Sequence, residues 1–80
     1  MPSLRAAVFR SMRMVAVESE AIEAVGYDGE QRVLRATFRS GRSYEFLEVP
    51  AEEFLRFMNA KSHGAYMNRS IKPKYVSREV

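Results

Sequence analysis

The stretch from Arg39 to Pro50 constrains the fold of this chain more than any other part of the sequence. It places a glycine-containing turn before two aromatic residues at alternate positions, Tyr44 and Phe46, and it ends in proline. Side chains alternate between the two faces of a β-strand, so both rings point to the same face. Proline lacks a backbone N–H but suits the first turn of a helix. The stretch therefore predicts a turn, a strand and the start of a helix, in that order.

Two registers are open to the hairpin that this turn closes. A two-residue turn would place Thr37 opposite Tyr44 and would mix polar and apolar side chains on both faces of the pair. A three-residue loop with Gly41 in the left-handed position of a bulge separates them. Because a slip of one residue exchanges the faces, only the second register buries the aromatic rings. It predicts the cross-strand pairs Phe38–Arg42, Thr37–Ser43, Ala36–Tyr44, Arg35–Glu45 and Leu34–Phe46.

Hydrophobic periodicity and turn residues place the other elements. The strands are predicted at 22–27, 32–38 and 43–49, and Gly26 within the first indicates a bulge or a close backbone approach. A helix over 51–60 has its apolar arc at Phe54, Leu55, Phe57 and Met58, and its polar side at Glu52, Glu53, Arg56, Asn59 and Ala60. Ser62 is the predicted N-cap of a shorter helix that reaches about Ser70 and buries Tyr66, Met67 and Ile71. We predict an α+β fold, a three-stranded antiparallel β-meander with two C-terminal helices packed on one face.

The chain of 80 residues is predicted to form a single domain over 14–76, with a flexible basic tail at 1–13 and a C-terminal tail at 77–80. The short β-prone segment Met14–Val17 favours a marginal strand or a brace. The N-terminal tail lacks acidic residues and is rich in arginine, so a mitochondrial transit peptide is an alternative to a frayed end.

Composition excludes several classes of protein. Apolar residues make up 46% and charged residues 29% of the chain, which indicates a globular rather than a disordered protein. The chain has no cysteine, which excludes disulfides and zinc–thiolate sites and is compatible with the cytoplasmic location that we expect. No apolar run approaches the roughly 20 residues of a membrane-spanning helix. The net charge of +3 is concentrated as cationic excess at both ends of the chain, which favours an anionic partner.

The pattern around these elements resembles the KTSC domain, a family named for its occurrence at the C-terminus of some lysyl-tRNA synthetases and also found as stand-alone bacterial proteins. The similarity covers roughly Val15 to Tyr75. It is carried by Tyr44-Glu45-Phe46, where the family has Tyr-x-Tyr, and by the Pro50 helix start. A later Ser-x-Gly-x-Tyr-x-Asn pattern matches at Ser62, Gly64, Tyr66 and Asn68. The resemblance implies RNA binding, which is the function suggested for the family.

The candidate site residues follow from charge and from the aromatic pair. The basic cluster Lys61, Arg69, Lys72 and Lys74 is predicted to contact RNA phosphates, with Arg39 and Arg42 at the hairpin tip as a second patch. Tyr44 and Phe46 either stack on bases or pack under the helix. His63 has no Ser or Asp at a spacing that would indicate a catalytic triad, and no metal or cofactor site is expected.

We therefore predict a small non-catalytic module that binds RNA, with tRNA-like RNA as the partner. The alternative is a protein–protein interaction module. It would use either an exposed edge strand or an uncovered sheet face that carries Val33, Leu47 and Val49.

Overall fold

The computed structural model describes residues 12–80, and within them five strands form one antiparallel sheet. The sheet follows the order of the chain, so each strand pairs with the next one in sequence. The strands are β1 (Val15–Ala16), β2 (Ile22–Asp28), β3 (Val33–Phe38), β4 (Ser43–Phe46) and β5 (Ser77–Glu79). The predicted α+β fold with an antiparallel sheet is confirmed, but the predicted number of three strands is wrong.

The two additional strands lie at the two edges of the sheet. The β-prone segment near Val15 forms β1, whose residues pair with Ala24 and Val25 of β2. Residues 77–79, expected as a tail, form β5 and pair with β4. The three residues of β5 are polar and exposed, so the strand itself contains no apolar alternation that would indicate it in the sequence. Residues 1–11 of the predicted N-terminal tail lie outside the described part of the chain.

The predicted register of the second hairpin is confirmed. Leu34 lies opposite Phe46 and Ala36 lies opposite Tyr44. The amide of Phe38 donates to the carbonyl of Arg42 at 2.8 Å, and Gly41 has a φ of +98°, which closes the three-residue loop.

The end of β4 differs from the prediction. The strand stops at Phe46 rather than at Val49, because Glu48 has a φ of +57° and cannot continue an extended strand.

Gly26 in β2 marks a close backbone approach, as predicted. A Cβ atom at this position would lie 2.8 Å from the carbonyl oxygen of Arg13 and 2.7 Å from the sulfur of Met14. The segment that leads into β1 therefore crosses β2 where there is no side chain. The bulge of β2 lies elsewhere, between Ile22 and Ala24.

Two short helices follow the meander. Helix α1 spans Ala51–Met58, immediately after Pro50. Helix α2 spans His63–Tyr66 and continues as a π-helical turn over Met67–Ile71. The predicted cap of α2 is present, since the Ser62 hydroxyl accepts a hydrogen bond from the amide of Ala65 at 3.2 Å. Among residues 12–80, no helix is long and apolar enough to cross a membrane.

The core is formed by apolar side chains from the sheet, from the loop that precedes α1, from α1 and from the π-helical turn that follows α2. Its fully buried members are Ile22, Val25, Leu34, Ala36, Phe46, Val49, Phe57, Met67 and Ile71. The predicted buried arc of α1 is only partly correct. Leu55 is 58% exposed, whereas Glu53, which was assigned to the polar side, is 2% exposed.

Candidate nucleic-acid interface

Two half-buried aromatic rings lie near the tip of the second hairpin. Phe38 is the last residue of β3 and Tyr44 lies on β4, and their ring centroids are 5.9 Å apart in an edge-to-face arrangement. Lys72 follows the π-helical turn, and its Nζ lies 5.2 Å from the centroid of the Phe38 ring, as in a cation–π contact. The hairpin tip and the end of the second helix are thus brought together by contact between Lys72 and Phe38.

Three cationic side chains line a cleft of about 390 Å³ beside these rings. They are Arg39, Arg42 and Lys72, and Glu20 is the acidic residue of the lining. The nearest ion pair involves Arg42, whose Nη1 lies 3.8 Å from a carboxylate oxygen of Glu79. Both side chains of that pair are more than half exposed, so the attraction is weak and screened. We call this the hairpin cleft.

A second cleft of about 440 Å³ adjoins the first, because both are lined by Glu20 and Ala21. Lys61 and three residues of the family motif line it: Ser62, Gly64 and Asn68. His63 also lines this cleft, but its Nδ1 lies 3.0 Å from the carbonyl oxygen of Phe57. That contact fixes the end of α1 against the start of α2 and gives the imidazole a structural role.

Glu53 forms a buried polar network that sequence reasoning missed. Its Oε1 accepts hydrogen bonds from Lys74 Nζ at 2.6 Å and from the Tyr75 hydroxyl at 2.8 Å, and its Oε2 accepts one from Tyr66. Burial acts to raise the pKa of Glu53, but these hydrogen bonds and the charge of Lys74 outweigh it and lower the pKa to about 2. The partners lie 13 to 22 residues from Glu53 in sequence, so no local pattern could indicate the network.

Glu45 forms a second buried network on the opposite face of the sheet. Arg35 Nη2 lies 2.6 Å from one of its carboxylate oxygens, and Arg78 Nη2 lies 2.9 Å from the other. Burial acts to raise the pKa of Glu45, and the two guanidinium groups lower it overall. The predicted Arg35–Glu45 pair is confirmed, and Arg78 of β5 is an addition to it.

The six predicted phosphate-contacting residues do not form one cluster. Arg39, Arg42 and Lys72 share the hairpin cleft, whereas Lys61 lines the adjoining one. Arg69 lies exposed on the π-helical turn, and Lys74 is held by Glu53.

The aromatic pair is divided between the core and the surface. Phe46 is 2% exposed and belongs to the core, whereas Tyr44 is half-buried and lines the hairpin cleft. The alternative prediction of an uncovered sheet face is not supported within residues 12–80, because Val33 and Val49 are buried and Leu47 is half-buried. Within residues 12–80, no group of three or more His, Asp or Glu side chains is placed to hold a metal ion.

Comparison with known proteins gives consistent matches. The family model of the KTSC domain matches residues 18–75. A protein of Tsukamurella paurometabola is 42% identical over 62 residues, which cover 78% of this chain and 92% of that protein. An uncharacterised protein of Stutzerimonas stutzeri is 36% identical over 64 residues, which cover 80% of this chain and 90% of that protein.

The fold is also shared with a solved structure. The crystal structure of a KTSC domain protein from Yersinia pestis superposes with a TM-score of 0.85 at 34% sequence identity. The superposition covers 88% of this chain and 99% of that one. Similarity of sequence and of fold over most of the chain leads to one conclusion: the chain belongs to the KTSC domain family.

Proposed function

We propose that this domain binds RNA through the phosphate backbone, with the hairpin cleft as the principal contact. The observation that carries the proposal is the convergence of Arg39, Arg42 and Lys72 on one cleft whose lining includes a single carboxylate, Glu20. Cationic side chains grouped in this way attract a polyanion and release its counterions on binding. Lys61 lies in the adjoining cleft together with two carboxylates, Glu18 and Glu20, so the hairpin cleft is the more cationic of the two.

The engagement of the aromatic rings favours phosphate contacts over base recognition. Tyr27 and Phe54 stack on each other at 4.7 Å, and Phe46 and Phe57 are buried. The Phe38 ring is in contact with the Lys72 ammonium group and packs edge to face with the Tyr44 ring. A base would have to displace one of these neighbours before it could stack. We therefore expect binding that depends little on base sequence.

The ion pair of Lys74 favours a structural role for this residue over a phosphate contact. Its Nζ lies 2.6 Å from a carboxylate oxygen of Glu53, whose side chain is 3% exposed. A phosphate that bound Lys74 would have to compete with a buried negative charge. The proposal thus keeps Lys72 and excludes Lys74, although the two are near neighbours in sequence.

The salt dependence of binding to bulk tRNA tests the proposal. Three phosphate contacts predict that log Kd rises with log salt concentration with a slope of about 2 to 3, since each contact contributes roughly 0.7 to 0.9. Arg42→Gln and Lys72→Gln should each weaken binding and lower this slope by about 0.7 to 0.9. Fluorescence anisotropy of labelled tRNA, measured between about 50 and about 200 mM salt, gives both quantities.

Arg56→Gln is the matched control, because Arg56 is an exposed cation on α1 outside the hairpin cleft. It removes the same charge from the protein and should leave the slope almost unchanged. Equal losses for Arg42→Gln, Lys72→Gln and Arg56→Gln would mean that net charge, and not the cleft, determines affinity. Binding that does not change with salt would contradict the proposal. The function that we propose is non-catalytic. We propose that the domain performs it in the cytoplasm, where RNA is accessible.

A further inference from the structure

Strand β5 has one edge that pairs with β4 and one that faces away from the sheet. The amide of Leu47 donates to the carbonyl of Val76 at 2.8 Å, and the amide of Val80 donates to the carbonyl of Ser43 at 2.9 Å. Backbone groups of an antiparallel strand alternate in direction, so those of residues 76, 78 and 80 face β4. Those of Ser77 and Glu79 therefore point outward, and no strand within residues 12–80 pairs with that edge.

The side chains of this edge have a definite pattern. Val76, Arg78 and Val80 lie at alternate positions and share one face of the strand. Val76 is 73% exposed and Val80 is 55% exposed, so both ends of the pattern are apolar and accessible to solvent. Arg78 lies between them, and it shares the single carboxylate of Glu45 with Arg35. Two guanidinium groups on one carboxylate leave a net positive charge at the centre of the edge.

We propose that β5 binds an extended segment of a partner protein as a sixth, antiparallel strand, with an acidic residue opposite Arg78 and an apolar residue opposite each of Val76 and Val80. The backbone of Ser77 and Glu79 supplies the hydrogen bonds of this strand addition. The side chains that select the partner thus have the pattern apolar–x–acidic–x–apolar. The proposal does not depend on RNA binding and uses none of the cationic residues of the hairpin cleft.

The charge of Arg78 argues against the symmetric pairing with a second copy of this chain that is centred on this residue. In a symmetric pair of β5 strands centred on this residue, Val76 would face Val80 of the other copy. Arg78 would then face its own counterpart, and like charges directly opposite one another destabilise a strand pair. An acidic residue at that position removes the repulsion and compensates the excess charge around Glu45.

A pair of synthetic peptides tests the proposal. The probe is a blocked peptide of sequence Thr-Val-Thr-Glu-Thr-Val-Thr, and the matched control replaces its glutamate with lysine. In an amide-shift titration of the full chain up to about 1 mM peptide, the glutamate peptide should shift the amides of Ser77 and Glu79 and bind about fivefold more tightly than the lysine peptide.

Two variants separate strand addition from nonspecific contact. Ser77→Pro removes an N–H that points away from β4, a position at which proline is tolerated in an edge strand. It should abolish peptide binding, whereas Ser77→Ala should bind as the unchanged chain does. If Ser77→Pro disturbs the fold, Arg78→Gln is the second test, because it should bind both peptides with equal affinity.

Three results would overturn the proposal: absence of binding up to about 1 mM, equal or tighter binding of the lysine peptide, and unchanged binding by a folded Ser77→Pro variant. A concentration-dependent dimer in sedimentation, abolished by the same proline, would assign the edge to a second copy. That result would also contradict the proposed partner. None of these outcomes bears on the affinity for tRNA.

Discussion

At the scale of single residues, Glu53 connects the first helix to the C-terminal part of the chain. A buried carboxylate is tolerated only when it is paired and hydrogen-bonded. Lys74, Tyr66 and Tyr75 meet that requirement together. The position of Glu53 in the first turn of α1 also places its charge at the favourable end of the helix dipole. The helix start predicts an acidic residue here, but it does not predict burial.

Glu53→Gln should lower the free energy of unfolding by about 2 kcal/mol at neutral pH, because hydrogen bonds to a charged acceptor become bonds to a neutral one. The pKa of Glu53 is about 2 in the folded chain against an ordinary value of 4.5. This carboxylate therefore contributes stability above pH 4.5 that is lost as the pH falls toward 2. Denaturant unfolding between these pH values should show a shallower acid dependence for the variant. Glu52→Gln, exposed on the same helix turn, is the control, and equal effects of both would contradict the assignment.

Tyr75 should titrate at unusually high pH. Burial, together with its hydrogen bond to Glu53, raises the pKa of the phenol from 10.0 to about 12. Because the folded-state value exceeds the unfolded one, the neutral phenol contributes stability up to pH 10 that is lost as the pH rises through 12. Tyrosinate absorbance, compared between the unchanged chain and Tyr75→Phe, measures this titration. In Glu53→Gln the Tyr75 pKa should fall toward its ordinary value, and a value that did not move would exclude Glu53 as a cause.

At the scale of elements, alternation of apolar side chains determined what the sequence could predict. It fixed the register of the second hairpin, because Tyr44 and Phe46 could be buried in one register and not in the other. The cap at Ser62 was also predictable, because a side-chain oxygen at a helix start is a local signal.

The elements that the sequence did not predict depend on distant partners. Strand β5 exists because it pairs with β4, which lies more than thirty residues earlier in the chain. Helix α1 was predicted, but its buried face was not, because Lys74 and Tyr75 bind Glu53 in the interior while Leu55 remains exposed. Periodicity assigns charged residues to solvent by default and has no means of detecting a buried partner. The hairpin cleft was predictable as two separate basic patches, but not as one site.

Gly26→Ala tests the crossing of β2 by the segment that leads into β1. Its Cβ would lie 2.8 Å from the carbonyl oxygen of Arg13. Because that oxygen is a backbone atom, the clash can be relieved only if the backbone of this segment moves. We expect a loss of about 1 to 3 kcal/mol in the free energy of unfolding. Hydrogen exchange of the Val17 amide, which donates to the carbonyl of Glu23 at 3.1 Å, should accelerate.

Gly29→Ala is the matched control for this substitution. A Cβ at Gly29 would lie no closer than 3.9 Å to the Tyr27 ring, so its cost should be within about 0.5 kcal/mol. If both substitutions had the same effect, the crossing near Arg13 would not restrict this part of β2.

At the scale of the whole molecule, the fold separates cations that are paired with buried carboxylates from cations that meet in the hairpin cleft. Arg35 and Arg78 pair with Glu45 and Lys74 pairs with Glu53, whereas Arg39, Arg42 and Lys72 meet in a cleft lined by a single acid, Glu20. The cationic C-terminal region of the sequence is therefore less available to an anion than its composition implies. Phe38, near the tip of the second hairpin, and Lys72, which follows the second helix, are neighbours in the folded chain.

An amide-shift titration with bulk tRNA, repeated at about 50 and about 200 mM salt, tests the central claim most directly. We predict perturbations at Arg39, Arg42 and Lys72 that are large at low salt and nearly vanish at high salt. The amide of Phe46 in the core should not respond. Perturbations centred on Arg69 and Lys74, or the absence of any perturbation at low salt, would contradict the assignment of the hairpin cleft as the RNA-binding site.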